Sequence, residues 1–317
     1  MSEPKTTESI GKIESLDPSF NALVQDNAKI EILAEGFEWS EGPVWVPSHN
    51  MLLFSDVPNN VVHKWTEEKG LETYLKPSGY SGTDKYSNEP GSNGLTISPS
   101  GKLVLCQHGD RRVAAMEADL GSPEPNYVAL ADNFEGKKLN SPNDVTFRSN
   151  GDMFFTDPPY GLPKQADDPT KETPHNGVYK VSNGKATLIS DSLTRPNGIA
   201  FLPGERTLLV ANSDPDKAMW YAFELGENDS VTSAKVFYDA TPNAKKGEGG
   251  LPDGLKVDKQ GNVYATGPGG IWVFNSTGKP LGRIRMNQAT SNCALSPDEK
   301  TLYITADMYL VRVKMRD

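Results

Sequence analysis

The sequence predicts an all-β protein, a six-bladed β-propeller with four-stranded antiparallel blades. The main observation is a repeat in which a polar residue leads directly into a short apolar strand. Repeats of roughly 40–50 residues with several short strands each are typical of propellers. The 29 Gly and 24 Pro residues agree with this, because such folds need many tight turns. The six copies begin at Glu41, Asn93, Asn143, Asn197, Asp253 and Asn292, with spacings of 52, 50, 54, 56 and 39 residues.

The two ends of the chain are expected to share one blade. The last repeat begins at 292 and leaves 26 residues, enough for three strands near 292–296, 301–305 and 309–315. The alternating segment at 29–35 then supplies the missing outer strand, which removes the open sheet edges. Residues 1–26 are polar and poorly patterned, so we expect a flexible tail followed by a single propeller domain at 27–317.

Blade one is predicted to begin at 41 and to end near 76, with outer strands around 61–65 and 71–75. The segment 77–92 that follows is rich in Gly, Ser, Pro, Asn and Tyr and shows no periodicity. It is a long loop that directly precedes the next channel-lining residue. We expect it to overhang that end of the channel, and long loops of this kind are often functional.

Composition limits the partners. The net charge of −10 disfavours nucleic acid and anionic membranes as partners, and no apolar stretch approaches the length of a membrane helix. The N-terminus lacks a signal-peptide pattern, so we expect a cytoplasmic protein, or a periplasmic one if a precursor is processed. The two cysteines, Cys106 and Cys293, occupy different places in their repeats and are expected to be reduced, buried thiols.

The first residues of the six repeats indicate a metal site. In a propeller the first strand of each blade lines the central channel, so these six residues should converge near one axis. Two carboxylates and four amides provide oxygen ligands only, which favours Ca²⁺ or Mg²⁺ over zinc or copper. Calcium suits the site better because it accepts more oxygens in a flexible geometry. The alternative is that these are turn residues, since four of the six precede a glycine. We favour a metal site because a strand follows each glycine.

Five motifs in order resemble the SMP-30/gluconolactonase/LRE family, in particular its bacterial gluconolactonase branch. They are Ser40–Trp45, Leu139–Val145, Phe155–Gly161, Arg195–Ala200 and Pro252–Leu255. The resemblance runs from about residue 30 to the end of the chain. It implies a six-bladed propeller with a divalent cation in the channel, held by Glu41, Asn143, Asn197 and Asp253.

The resemblance also implies hydrolysis of a sugar lactone, similar to gluconolactone, to the aldonic acid. Ca²⁺, or another divalent cation, would act as Lewis acid, and Asp253 would be both ligand and base. Asn93 is predicted to face the substrate and Asn292 to support the ligands. Because neighbouring strand residues face opposite ways, Asp144 should point into its blade and support the ligands from there.

Three further residues lie in loops that leave the second strands of blades two and three. They are His108, Arg111 and Tyr160. Second strands return to the channel end at which first strands begin, so these side chains are predicted to bind the substrate.

The sequence is also compatible with two other functions. The same scaffold and metal could hydrolyse phosphotriesters, as in the related squid-type diisopropylfluorophosphatase. A non-catalytic propeller could instead bind a partner on its face and use the metal only as a brace. The carboxylates expected on the axis favour the enzyme over the binding module.

Overall fold

The computed structural model describes residues 10–316, which form six antiparallel blades around a central channel. Inner strands of neighbouring blades contact one another around the whole ring, so the predicted six-bladed propeller is confirmed. From channel to rim, the strands of blade one are Ser40–Val46, Met51–Asp56, Val61–Thr66 and Gly70–Leu75, and those of blade two are Ser92–Ile97, Leu103–Gln107, Arg112–Met116 and Tyr127–Ala131.

In the same order, blade three consists of Val145–Phe147, Met153–Asp157, Gly177–Ser182 and Lys185–Ser190, and blade four of Pro196–Phe201, Thr207–Asp214, Lys217–Leu225 and Val231–Asp239. Blade five consists of Leu255–Val257, Val263–Gly267, Gly270–Phe274 and Pro280–Arg285, and blade six of Asn292–Leu295, Thr301–Ala306, Tyr309–Lys314 and Ile30–Glu35.

The remaining elements are short. A two-stranded ribbon, Asn133–Phe134 with Lys137–Lys138, leads from blade two to blade three. The helical segments described are Pro18–Ala22, Pro47–His49, Gln165–Asp167, Glu227–Asp229 and the single α-helical turn Thr241–Lys245. Within residues 10–316, no helix has the length and apolarity needed to cross a membrane.

Blade six joins the two chain ends as predicted. Ile30–Glu35 pairs antiparallel with Tyr309–Lys314, so the N-terminal segment provides the outermost strand of the last blade. This pairing closes the ring, because the outer strand of blade six comes from the segment that leads into blade one.

The segment before this strand is more ordered than expected. Lys12–Ser15 pairs with Pro280–Arg285 as a fifth strand of blade five. Phe20 is fully buried and packs on Gly282, where an added Cβ would lie 2.5 Å from the ring. The prediction of a flexible tail is therefore wrong for residues 10–26, and residues 1–9 lie outside the described part of the chain.

The core lies between adjacent blades. Second strands such as Met51–Asp56 are buried along their whole length, because both of their faces are covered by neighbouring sheets. Between blades four and five, for example, Trp220 packs near Trp272 and Phe274. Cys106 and Cys293 are free, buried thiols, as predicted.

The first residues of the six repeats are called axial residues. In four blades the next residue is a glycine, and the neighbouring blade requires it. A Cβ on Gly42 would lie 2.1 Å from the Asn93 carbonyl oxygen, and one on Gly198 would lie 2.2 Å from the Asp253 carbonyl oxygen. A Cβ on Gly94 would lie 2.6 Å from the Asn143 carbonyl oxygen, and one on Gly254 would lie 1.9 Å from the side chain of Asn292. These glycines therefore permit close packing of inner strands and do not form hairpin turns, which removes the turn interpretation of the repeat.

Candidate active site

Five of the six axial residues line one cavity at the end of the channel. Its volume is ≈ 380 Å³. A larger cavity of ≈ 890 Å³ lies at the rim, between the outer strands of blades two and three, but no axial residue reaches it. The residues lining the axial cavity are Trp39, Glu41, Glu89, Asn93, Asn143, Tyr160, Arg195, Asn197, Ser213, Gly250, Leu251 and Asp253.

Four buried oxygens in this cavity have no hydrogen-bond partner among residues 10–316. They are Oδ1 of Asn93, Asn143, Asn197 and Asp253. An unpartnered polar atom in a buried position is costly, so native structures normally supply a protein group, a water or an ion. Their shared feature is a free oxygen, which is the donor type that Ca²⁺ and Mg²⁺ take in proteins. The donor set therefore fits a hard cation.

Carboxylates alone would not complete such a site. Within residues 10–316, no group of three or more His, Cys, Asp or Glu side chains is arranged to hold a metal ion. Amide oxygens would have to provide part of the coordination. Ca²⁺ is compatible with such a mixed ligand set, because it binds carbonyl and amide oxygens as well as carboxylates.

The Asn197 side chain is oriented by a hydroxyl group. Its Nδ2 donates to Ser213 Oγ at 3.0 Å, and Ser213 Oγ donates in turn to the Pro252 carbonyl oxygen. Because this hydrogen bond uses the amide nitrogen, Oδ1 is the atom of the Asn197 side chain that is left without a partner. Ser213 thus links the position of Asn197 to the backbone that leads into Asp253.

Glu41 is held from behind by Asn292. Glu41 Oε2 accepts hydrogen bonds from the Gly42 backbone nitrogen at 2.6 Å and from Asn292 Nδ2 at 3.3 Å. Asn292 Oδ1 accepts from Lys256 Nζ at 3.1 Å. Asn292, the one axial residue that does not line the cavity, therefore holds the Glu41 carboxylate in position, and its supporting role toward a metal ligand stays a prediction.

Asp144 lies in the channel, not inside its own blade. Its Oδ2 is 3.9 Å from Lys256 Nζ of blade five, and a Cβ on Gly94 of blade two would lie 2.6 Å from its Oδ1. The expectation that Asp144 points into blade three is wrong. The simple alternation does not apply, because the regular strand begins only at Val145 and the entrance to the inner strand is irregular.

Burial and mutual repulsion disfavour the charged forms of these carboxyls. Burial raises the pKa of Asp253 well above its usual range, and the charges of Glu41 and Asp144 add to the effect. Burial also raises the pKa of Glu41, against the opposing hydrogen bond from Gly42, and it raises that of Asp144. A divalent cation among them would favour the ionised forms.

Tyr160 and Asn93, two predicted substrate contacts, line the cavity. Burial raises the pKa of the Tyr160 phenol, so this group is a neutral hydrogen-bond donor or acceptor at physiological pH. Contacts from these residues to a substrate stay a prediction.

His108 and Arg111 do not reach the cavity wall. His108 is fully buried behind Glu89. Arg111 donates from Nε to the Leu139 and Asn140 carbonyl oxygens, at 2.6 and 3.1 Å, and from Nη1 to the Thr170 carbonyl oxygen at 3.0 Å. The structure therefore makes Arg111 a brace for the segment that leads into Asn143, contrary to the expected substrate contact.

The sequence interpretation missed several cavity residues. Trp39 and Arg195 each lie two residues before an axial residue, and Glu89 lies in the long loop 77–92. Their fixed position two residues before the start of a repeat is a sequence signal from which Trp39 and Arg195 could have been placed at the cavity. Nothing in the pattern distinguished Glu89 from the other polar residues of its loop.

Comparisons with known proteins agree on one family. Residues 39–307 match the model of the SMP-30/Gluconolactonase/LRE-like region. A gluconolactonase of Zymomonas mobilis is 40% identical over 97% of this chain and 87% of its own length. A pentonolactonase of Haloferax volcanii is 24% identical over 84% of this chain and 80% of its own length. The solved structure of a Xanthomonas campestris gluconolactonase superposes with a TM-score of 0.83 at 27% identity, covering 99% of each chain.

Proposed function

Because the chain belongs to the SMP-30/gluconolactonase/LRE-like family, we propose that it is a metal-dependent lactonase that hydrolyses a sugar lactone to the aldonic acid. The observation that carries this proposal is the convergence of four unpartnered buried oxygens in one cavity with the carboxylate of Glu41. The gluconolactonase of Z. mobilis and the pentonolactonase of H. volcanii support the substrate class.

The residues proposed to hold the cation are Glu41, Asn143, Asn197 and Asp253, and Ca²⁺ is the ion that suits them best. Two carboxylates would balance its charge. When bound, such a cation polarises a lactone carbonyl as a Lewis acid and stabilises negative charge on its oxygen. Asn93 shares the free amide oxygen of these ligands and is proposed to face the substrate.

The remaining cavity residues suit a small polyhydroxylated ligand. A volume of ≈ 380 Å³ lies at the lower end of the range for small-molecule pockets. Arg195 provides hydrogen-bond donors and Tyr160 a hydroxyl group, both of which can orient sugar hydroxyls. Trp39 and Leu251 provide apolar surface against the ring carbons. This mixture of convergent polar groups and apolar wall is typical of sites that fix one orientation of a ligand.

The proposal is tested by hydrolysis of glucono-1,5-lactone, followed as acid release and corrected for the spontaneous rate. We expect activity in the wild-type protein, its loss after EDTA treatment and its return on addition of Ca²⁺. Parallel panels of lactones and phosphotriesters separate the lactonase from the phosphotriesterase alternative. Full activity after EDTA, or no turnover of any aldonolactone, would contradict the proposal.

A further inference from the structure

The loop 77–92 is held rigidly over the channel end. Asn60 Oδ1 accepts hydrogen bonds from the backbone nitrogens of Ser78, Gly79 and Tyr80, at 3.0, 2.7 and 3.2 Å. Ser92 nitrogen donates to Ser78 Oγ at 3.0 Å, which ties the end of the loop to its beginning. A loop with this many fixed backbone groups can place a side chain accurately.

Glu89 is placed by the second half of this loop. The carbonyl oxygens of Pro90 and Gly91, the next two residues, accept from the Gly109 and His108 nitrogens, both at 3.1 Å. The Glu89 side chain is 34% exposed and forms part of the cavity wall. Its Oε2 lies 3.8 Å from Nδ1 of the fully buried His108. Glu89 therefore forms part of the cavity wall from a blade connection, apart from the axial ring, with its carboxylate beside His108.

Glu89 and Asp253 differ in their ability to act as a base. The proposed role of Asp253 as ligand weakens it as a base, because a carboxylate bound to a cation has a lowered pKa. Glu89 is not an axial residue and is not one of the proposed metal ligands, so its carboxylate is available for proton transfer. Burial raises the pKa of Glu89 to about 7. A group with that value gives up and accepts protons readily near neutral pH.

We propose that Glu89, rather than Asp253, transfers the proton in the hydrolysis proposed above, and this inference rests on that proposed function. Glu89 takes a proton from water as the water oxygen bonds to the lactone carbonyl carbon. The ring C–O bond then breaks, and the Glu89 carboxylic acid gives the same proton to the departing ring oxygen. The products are a free hydroxyl group and a carboxylic acid, which ionises into solvent.

The charged and titratable groups around Glu89 are consistent with this role. Glu41, Tyr160, Arg195 and Asp253 share the cavity wall with it, and His108 lies behind it. Burial lowers the pKa of His108 to about 4, against a smaller opposing effect of the Glu89 carbonyl, so the imidazole is neutral above that value. If a cation keeps Glu41 and Asp253 ionised, with His108 neutral and Tyr160 protonated, Glu89 is the group of this set that titrates near pH 7.

The test compares Glu89→Gln and Glu89→Asp with Asp84→Asn, which removes an exposed carboxylate from the same loop. We expect Glu89→Gln to lower kcat by about 10²–10⁴-fold, the range of general acid–base catalysis. KM and calcium affinity by isothermal titration calorimetry should be unchanged. The rise of kcat/KM through pH 7 should disappear in Glu89→Gln and return in part in Glu89→Asp.

Each outcome is decisive. Wild-type kcat and pH profile in Glu89→Gln, with an active wild type, would overturn this inference and leave the proposed function intact. Loss of calcium binding in Glu89→Gln would also overturn it, because Glu89 would then be a ligand. A wild type that hydrolyses no lactone would refute the proposed function and this inference together.

Discussion

Nδ2 of Asn292 donates to Glu41 Oε2 at 3.3 Å, across the seam where the last blade meets the first. Asn292 is itself fixed, because its Oδ1 accepts from Lys256 Nζ at 3.1 Å and from the Cys293 nitrogen at 2.9 Å. A residue of the closing blade thus sets the orientation of a carboxylate in the opening blade. The site depends on ring closure as well as on its own ligands.

Substitution of Asn292 by alanine should weaken cation binding without unfolding the protein. The change removes the donor to Glu41, and loss of groups that orient a ligand typically lowers metal affinity about 10–100-fold. Calorimetric titration of EDTA-stripped protein with Ca²⁺ measures the effect. Asn150→Ala, in an exposed turn of blade three, is the control and should bind like the wild type. Equal affinities in the two variants would show that Asn292 does not support the site.

Gly198→Ala should destabilise the propeller and disturb Asp253. An added Cβ would lie 2.2 Å from the Asp253 carbonyl oxygen, so the inner strands of blades four and five must separate. Overpacking of this kind costs about 1–3 kcal/mol of unfolding free energy. Gly249→Ala is the matched control, because a Cβ there meets nothing within 4 Å. Urea unfolding of both variants checks the prediction, which fails if the two curves coincide.

The repeat could be predicted because its cause is local. Each axial residue is followed by a strand, and in four blades the intervening glycine is required by the next blade, so the spacing is visible in the sequence. Residues 12–15 were missed because an edge strand of four residues carries little apolar pattern. Phe20, the buried residue that anchors this segment, is a single aromatic residue in a polar stretch.

The direction of side chains was harder to predict than the position of strands. Alternation along a regular strand places Asp144 on the wrong side, because the inner strand of blade three starts irregularly. Arg111 is long enough to reach backbone carbonyls away from the cavity, and the sequence does not show which acceptors it finds. Glu89 depends on hydrogen bonds between Asn60 and a loop without periodicity, and such contacts leave no pattern.

Stability of the cation-free protein should fall as pH rises from about 6.5 to about 8. Burial raises the pKa of Asp157 to about 7, above its ordinary value of 3.8. Its contribution is therefore fully present below 3.8 and is lost as pH rises through 7. The raised pKa values of Glu41 and Asp253 act in the same direction and extend the fall above pH 7. His108 acts in the opposite sense, but its contribution is complete above its ordinary value of 6.5.

Thermal unfolding in EDTA at several pH values measures this dependence. Saturating Ca²⁺ should flatten it, because the cation binds the ionised carboxylates and offsets the cost of burying them. A melting temperature in EDTA that rises between pH 6.5 and 8 would contradict the assignment of raised pKa values to the buried carboxyls.

The proposed lactonase depends most on one divalent cation held by the axial oxygens. Calorimetric titration of EDTA-stripped wild type with Ca²⁺ tests this directly, beside a double variant, Glu41→Gln with Asp253→Asn, and the control Asp84→Asn. We predict one site per chain in the wild type and in Asp84→Asn, and at least a hundredfold loss of affinity in the double variant. Absence of binding in the wild type, or equal binding in the double variant, would contradict a cation site at the axis.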